Sequence, residues 1–263
     1  MRKEISYHKM DGGPGMKDYI LEGCVDSVES AVAAQAGGAN RLELCANLII
    51  GGTTPDINLF LAVREKVSIK INVLIRPRFG DFCYTDDEFG IIKKDVELFR
   101  KQGADGVVIG VLKADGSLDL PRMKELMEAA GDMSVTLHRA FDVSRDPFQT
   151  LQDAKNLHIG TILTSGQKNT CYEGRQLLAQ LVEKAAGEID ILVGSGVNSA
   201  QLSEMAAVTK AKSFHLSGKV NVESAMTYRK EDVSMGLPLM SEFIIYRTDA
   251  GEIAKVRDIL QSL

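Results

Sequence analysis

The chain reads as an α/β protein, a single-domain (β/α)8 barrel, on three observations. Eight short runs rich in Val, Ile and Leu recur along it, and stretches of helical periodicity separate them. Glycine closes helices just before the next run, at Gly37-Gly38-Ala39 and at Gly103-Ala104-Asp105. With 263 residues and 44% hydrophobic content, the chain can bury one substantial core, and barrels of this size are commonly one domain. Strict alternation of strand and helix over eight units is the pattern of a TIM-type barrel.

In order, the predicted strands are Asp18 to Val25, Arg41 to Cys45, Ile71 to Pro77, Gly106 to Leu112, Ser134 to Phe141, Thr161 to Gly166, Asp190 to Val197 and Ala211 to Gly218. Helices are expected over Ser27 to Gly37 (Ser27 as N-cap), Ile57 to Val67, Asp86 to Gln102, Pro121 to Ala130, Pro147 to Asn156, Glu173 to Ala186 and Ser199 to Val208. Residues 1–17 read as a flexible extension, because Gly12-Gly13-Pro14-Gly15 opposes regular structure. The barrel then runs over 18–263, with an irregular segment at 219–247 and a closing helix from Ala250 to Leu260. A doubly wound open sheet also alternates strand and helix. No GxGxxG follows the first strand, however, so no nucleotide cofactor is expected.

A net charge of −5 without a lysine or arginine block argues against nucleic acid or an anionic membrane surface as partner. No apolar run approaches the roughly 20 residues of a membrane span, and the expected location is cytoplasmic. Four cysteines in a chain this long make no disulfide framework, so Cys24 and Cys45 are expected as free thiols. A homodimer is expected from how commonly such proteins pair.

Function is read from the face turned toward the barrel axis. That face is normally aliphatic, yet here alternation leaves Glu22, Cys24, Arg41, Glu43, Cys45, Asn72, Arg76, Arg78, Thr136, His138, Thr164, His215 and Ser217 inward. They gather toward strand C-terminal ends, where barrels of this kind place active sites. Glu22, Glu43, Arg76 and His138 are the catalytic candidates, the carboxylates as acid or base and Arg76 as a clamp for an anion. Glu22 and Glu43 beside Arg76 also fit a buried ion network that orders the mouth, and His138 fits a histidine bonded to neighbouring backbone. His215 fits a structural role as well as a chemical one. Cys24 and Cys45 lie on neighbouring strands, so their sulfurs suit a soft ion such as Cu(I), or merely fill core. Cys83 and Cys171 are placed in loops.

A third group follows strands six to eight: Thr164-Ser165-Gly166, Gly194-Ser195-Gly196, and Ser217-Gly218-Lys219, of which Ser165, Gly166, Gly194, Ser195, Gly196, Ser217 and Gly218 are the binding candidates. Loops after strands seven and eight often hold phosphate through backbone N–H groups, so these are the candidate anion-binding residues. The loop Arg78 to Thr85, with three aromatics, either covers the mouth or packs on it.

Six ordered motifs carry a resemblance: Leu42-Glu43-Leu44-Cys45, Gly51-Gly52-Thr53-Thr54-Pro55, Ile75 to Phe82, His138-Arg139-Ala140-Phe141-Asp142, Leu163-Thr164-Ser165-Gly166 and Gly194-Ser195-Gly196-Val197. Together, from about Asp18 to Gly218, they resemble the CutC copper homeostasis family. The resemblance implies a cytoplasmic TIM-type barrel concerned with copper, with Cys24 and Cys45 as the Cu(I) ligands. Gly23 departs from it, standing where the family usually carries a branched apolar residue. Two functions stay open: a copper-binding or copper-trafficking protein, and an enzyme of lyase, aldolase or isomerase type acting on a small anionic metabolite.

Overall fold

Eight parallel strands close into a barrel in a computed structural model that describes residues 19–230, 233, 235–236 and 240–263. The extension expected over 1–17 lies outside the described residues, as does Pro238. The strands are β1 (Ile20–Val25), β2 (Arg41–Leu44), β3 (Lys70–Leu74), β4 (Gly106–Ile109), β5 (Ser134–Leu137), β6 (Thr161–Thr164), β7 (Asp190–Val193) and β8 (Ser213–Leu216). β8 pairs back onto β1 and leaves no open edge. The helices between them are α1 (Val28–Gly37), α2 (Ile57–Arg64), α3 (Asp86–Lys101), α4 (Leu120–Ala130), α5 (Pro147–Asn156), α6 (Cys171–Ala185), α7 (Leu202–Thr209) and α8 (Ala250–Ser262).

Helix starts follow from capping chemistry. Ser27 accepts from the Ser30 N–H, and Thr85 with Glu88 and Thr170 with Glu173 form reciprocal capping boxes. The second box corrects the placement of Cys171, which opens α6 and is buried there rather than lying in a loop.

Outward strand residues such as Leu21, Leu42, Ile71, Val107 and Phe214 form the main core with the helices. A smaller apolar cluster of Cys24, Cys45, Leu74 and Val108 fills the barrel interior. α1 presents Ser30, Ala31, Ala34 and Gly37, all small, and so lies close to β1. A Cβ on Gly23 would stand 2.9 Å from the Ala34 Cβ and 3.4 Å from Leu42 Cδ2, which accounts for glycine at this position. Gly23→Val is expected to lower unfolding free energy by about 1–3 kcal/mol in urea denaturation. An unchanged stability would show that α1 moves outward freely.

Two expectations need correction. The segment 219–247 is not irregular throughout: β9 (Lys219–Glu223) and β10 (Ile244–Thr248) pair as an antiparallel ribbon. Its alternating Lys-Val-Asn-Val-Glu pattern is that of a strand. Thr248 pins the ribbon's base by donating its N–H to Ser30 Oγ at 3.1 Å. The fifth strand also stops early, at Leu137. Residues Arg139–Val143 form a 3-10 turn, because the His138 side chain accepts the Ala140 N–H and so caps it.

Candidate functional site

Strand register assembles the centre of the mouth. Glu22 on β1 lies level with Arg41 on β2 and His215 on β8, while Cys24 lies level with Glu43. Glu22 is fully buried, accepts from Arg41 Nε, and meets His215 Nδ1 at 2.8 Å. Burial alone would raise its pKa, but Arg41 and then His215 outweigh burial and hold the carboxyl below its ordinary value. The expected ion network therefore exists, with Arg41 and His215 as partners in place of Arg76.

One layer up, the Cys24 thiol donates to Glu43 Oε1 at 3.5 Å. Ligand atoms of Cys24, Glu43 and His215 all lie within 4.8 Å of one another. The Cys45 thiol beside it, burial and the Glu43 carboxylate push the Cys24 thiol well above its ordinary value. Burial likewise raises Glu43, whose Oε2 has no hydrogen-bond partner. Burial opposes a charged imidazole at His215, but Cys24, Glu43 and Glu22 outweigh it and raise that pKa well above its usual value.

Cys45 is outside this triplet. Its thiol donates to the Val25 carbonyl at 3.5 Å and packs with Leu74 and Val108, beneath Gly52. A Cβ on Gly52 would stand 2.7 Å from Leu74 Cδ2, and the residue has a φ of +84°, so only glycine closes this cover without strain. The expected Cys24 and Cys45 thiols do lie side by side, and Glu43 and His215 bring further ligand atoms to Cys24.

Arg76 and His138 occupy the far wall. The Arg76 guanidinium donates to the carbonyls of Gly51, Gly52 and Gly80, and it lies 4.9 Å above the Phe82 ring. Among the described residues no carboxylate pairs with it, and its Nε is buried without an acceptor. Phe82 also lies against His138, with ring centroids 4.7 Å apart, so the aromatic loop packs into the mouth. His138 Nδ1 accepts from Ala140, which puts the proton on Nε2, and Nε2 has no partner. Burial, with Arg76 nearby, lowers the His138 pKa to about 3. Arg78, expected inward, instead pairs outside the barrel with Asp81 and Glu88, because β3 has ended at Leu74 and alternation no longer applies.

The anion candidates divide. Ser165 and Gly166 do not form an open cradle: Asp142 already accepts from the Ser165 N–H, the Ser165 hydroxyl and Thr164, and Gly166 donates to Thr164 Oγ1. Gly194 closes β7 onto β6 by donating to the Thr164 carbonyl, and Gly218 packs on Ile253. Ser195, Gly196 and Ser217 line a cavity of about 580 Å³ together with Cys24, Glu43, Arg76, Phe82, His138, His215 and Lys219. The sequence leaves His215 undecided, places Arg41 inward without a role, names Lys219 only beside Ser217-Gly218, and gives no site role to Asp142.

A closed parallel barrel with a buried thiol, imidazole and carboxylate at the C-terminal ends of its strands defines a TIM-type barrel protein with a polar mouth. The chain belongs to the CutC family, whose family model matches residues 19–220. It is 44% identical over 250 residues to a family protein CutC of Bacteroides fragilis, covering 94% of this chain and 98% of that one. It is 40% identical over 256 residues to a mouse protein named copper homeostasis protein cutC homolog, covering 97% of this chain and 92% of the relative. A crystal structure of a CutC protein from Streptococcus agalactiae superposes with a TM-score of 0.71 at 29% identity, covering 76% of this chain and 98% of that one. No helix among the described residues is long and apolar enough to cross a membrane.

Proposed function

We propose that this protein binds Cu(I) as cargo at the barrel mouth, in the cytoplasm, through Cys24 and His215 with Glu43 beside them. The observation that carries this is the approach of their ligand atoms to within 4.8 Å of one another. Sulfur and imidazole suit Cu(I), whereas a carboxylate is a harder donor that contributes charge more than affinity. Glu22 holds His215 by Nδ1 and so leaves Nε2 as the nitrogen available to an ion. Four free thiols and the names of the mouse and human relatives support a reducing compartment and a copper role.

An anaerobic Cu(I) titration against a competing chelator tests it. The natural chain should hold one ion tightly, Cys24→Ser should abolish that binding, and Glu22→Gln should weaken it about 10- to 100-fold by freeing the imidazole. Binding that survives Cys24→Ser intact would exclude the site.

A second reading, an enzyme acting on a small anionic metabolite, is favoured by Glu43. Its carboxyl is buried in the cavity with a raised pKa and an unpartnered Oε2, the condition of a general acid or base.

A further inference from the structure

Two groups of residues that line the cavity carry hydrogen-bond donors for which the described residues supply no acceptor. The first belongs to the loops after β7 and β8. Among the described residues, the backbone N–H groups of Ser195, Gly196 and Ser217 meet no acceptor, although all three residues line the cavity. Ser195 is held in this shape: its φ is +69°, its hydroxyl donates to the Asn169 carbonyl at 2.7 Å, and its own carbonyl accepts from the Cys171 N–H. Lys219 stands at the same rim, where its ammonium lies 5.1 Å from the Tyr246 ring and, among the described residues, pairs with no carboxylate.

The second group is on the facing side of the barrel. His138 is 4% exposed and Arg76 8%, yet His138 Nε2 and Arg76 Nε have no acceptor. Buried donors without partners are rare in folded chains, and here both belong to residues that line one cavity. The Cε1–Nδ1 edge of His138 packs on Gly110, where a Cβ would stand 2.7 Å from either atom, so Nε2 lies on the part of the ring away from that contact. Because Nδ1 is an acceptor, Nε2 offers a hydrogen and calls for an oxygen.

We propose that the cavity binds a short metabolite with a phosphate monoester at one end, on the Ser195, Gly196 and Ser217 amides and Lys219, and a carbonyl or carboxylate oxygen at the other, on His138 and Arg76. Several amides beside a point-charge ammonium match a tetrahedral group with three acceptor oxygens. A volume of about 580 Å³ lies within the range of sites for small metabolites. The proposal names a ligand class for the cavity of the second reading, and it holds whether or not Glu43 catalyses anything.

Calorimetric titration of the metal-free protein with phosphoglycolate, inorganic phosphate and glycolate tests it. Phosphoglycolate should bind tightest, phosphate more weakly and glycolate weakest. Lys219→Glu, at an exposed position, should weaken both phosphate-bearing ligands about tenfold or more. His138→Phe should remove the advantage of phosphoglycolate over phosphate while leaving phosphate binding in place. Cys83→Ser, at an exposed thiol that does not line the cavity, should bind all three as the natural chain does. Absence of phosphoglycolate binding, indifference to Lys219→Glu, or loss of binding in Cys83→Ser would overturn the proposal. Turnover is not needed for any of these outcomes, so a chain that binds phosphoglycolate without converting any substrate would defeat the enzyme reading alone.

Discussion

Glu22→Ala should lower the unfolding free energy by about 3–5 kcal/mol, the cost of leaving buried cationic partners without their carboxylate. Glu22 has a side-chain exposure of 1% and Arg41 of 11%, so solvent screens their pair little. Removing Glu22 strands the Arg41 guanidinium, one nitrogen of which already lacks a partner, and it takes the acceptor from His215 Nδ1. The double replacement Glu22→Met, Arg41→Met should recover much of the loss, since it removes both charges and keeps the volume filled. Urea unfolding of Glu22→Met, Arg41→Met and the double variant gives the coupling directly. Additive losses would show that the two side chains act independently and that the network has no energetic meaning.

The same network shows how far alternation along a strand reaches. It places Glu22, Cys24, Glu43 and Cys45 on the inner face from sequence alone, because every second residue of a strand points the same way. It does not say which strand lies beside the first once the ring closes. His215 is separated from Glu22 by 193 positions, and its neighbours Phe214 and Leu216 look like core. It becomes a ligand candidate only because β8 pairs with β1. Cys45 lies inside the barrel as parity predicts, but β2 ends at Leu44, and Gly52 of the following loop packs on its Cβ and sulfur, which no strand pattern announces.

Residues past strand ends were the least legible. Ser165-Gly166 and Ser195-Gly196 look alike as motifs, yet the first is filled by Asp142, a carboxylate carried on the turn after β5. Short Ser-Gly motifs give φ-permissive turns but no information about what arrives from another strand. The eight-unit alternation needed no such information, and the order of strands and helices follows it throughout the barrel.

Acid should destabilise the fold through His138 well before most carboxylates titrate. The native pKa is about 3 against an ordinary 6.5, so the folded protein keeps this imidazole neutral while the unfolded chain takes up a proton. The sign follows: the unfolded state binds more protons between those values, so stability is full above about pH 6.5 and falls as pH drops toward 3. Between neutrality and about pH 4 the loss from this residue should be about 3 kcal/mol. His138→Gln cannot titrate, so it should be less stable than the natural chain at neutral pH but should lose less on acidification. The difference between the two urea-unfolding profiles isolates His138 from carboxylates common to both. Parallel profiles would mean that the buried imidazole accepts its proton in the folded state, through movement of Arg76 or entry of water. The added proton would sit on Nδ1 and break the bond from the Ala140 N–H, while Nε2 would remain a donor to an oxygen.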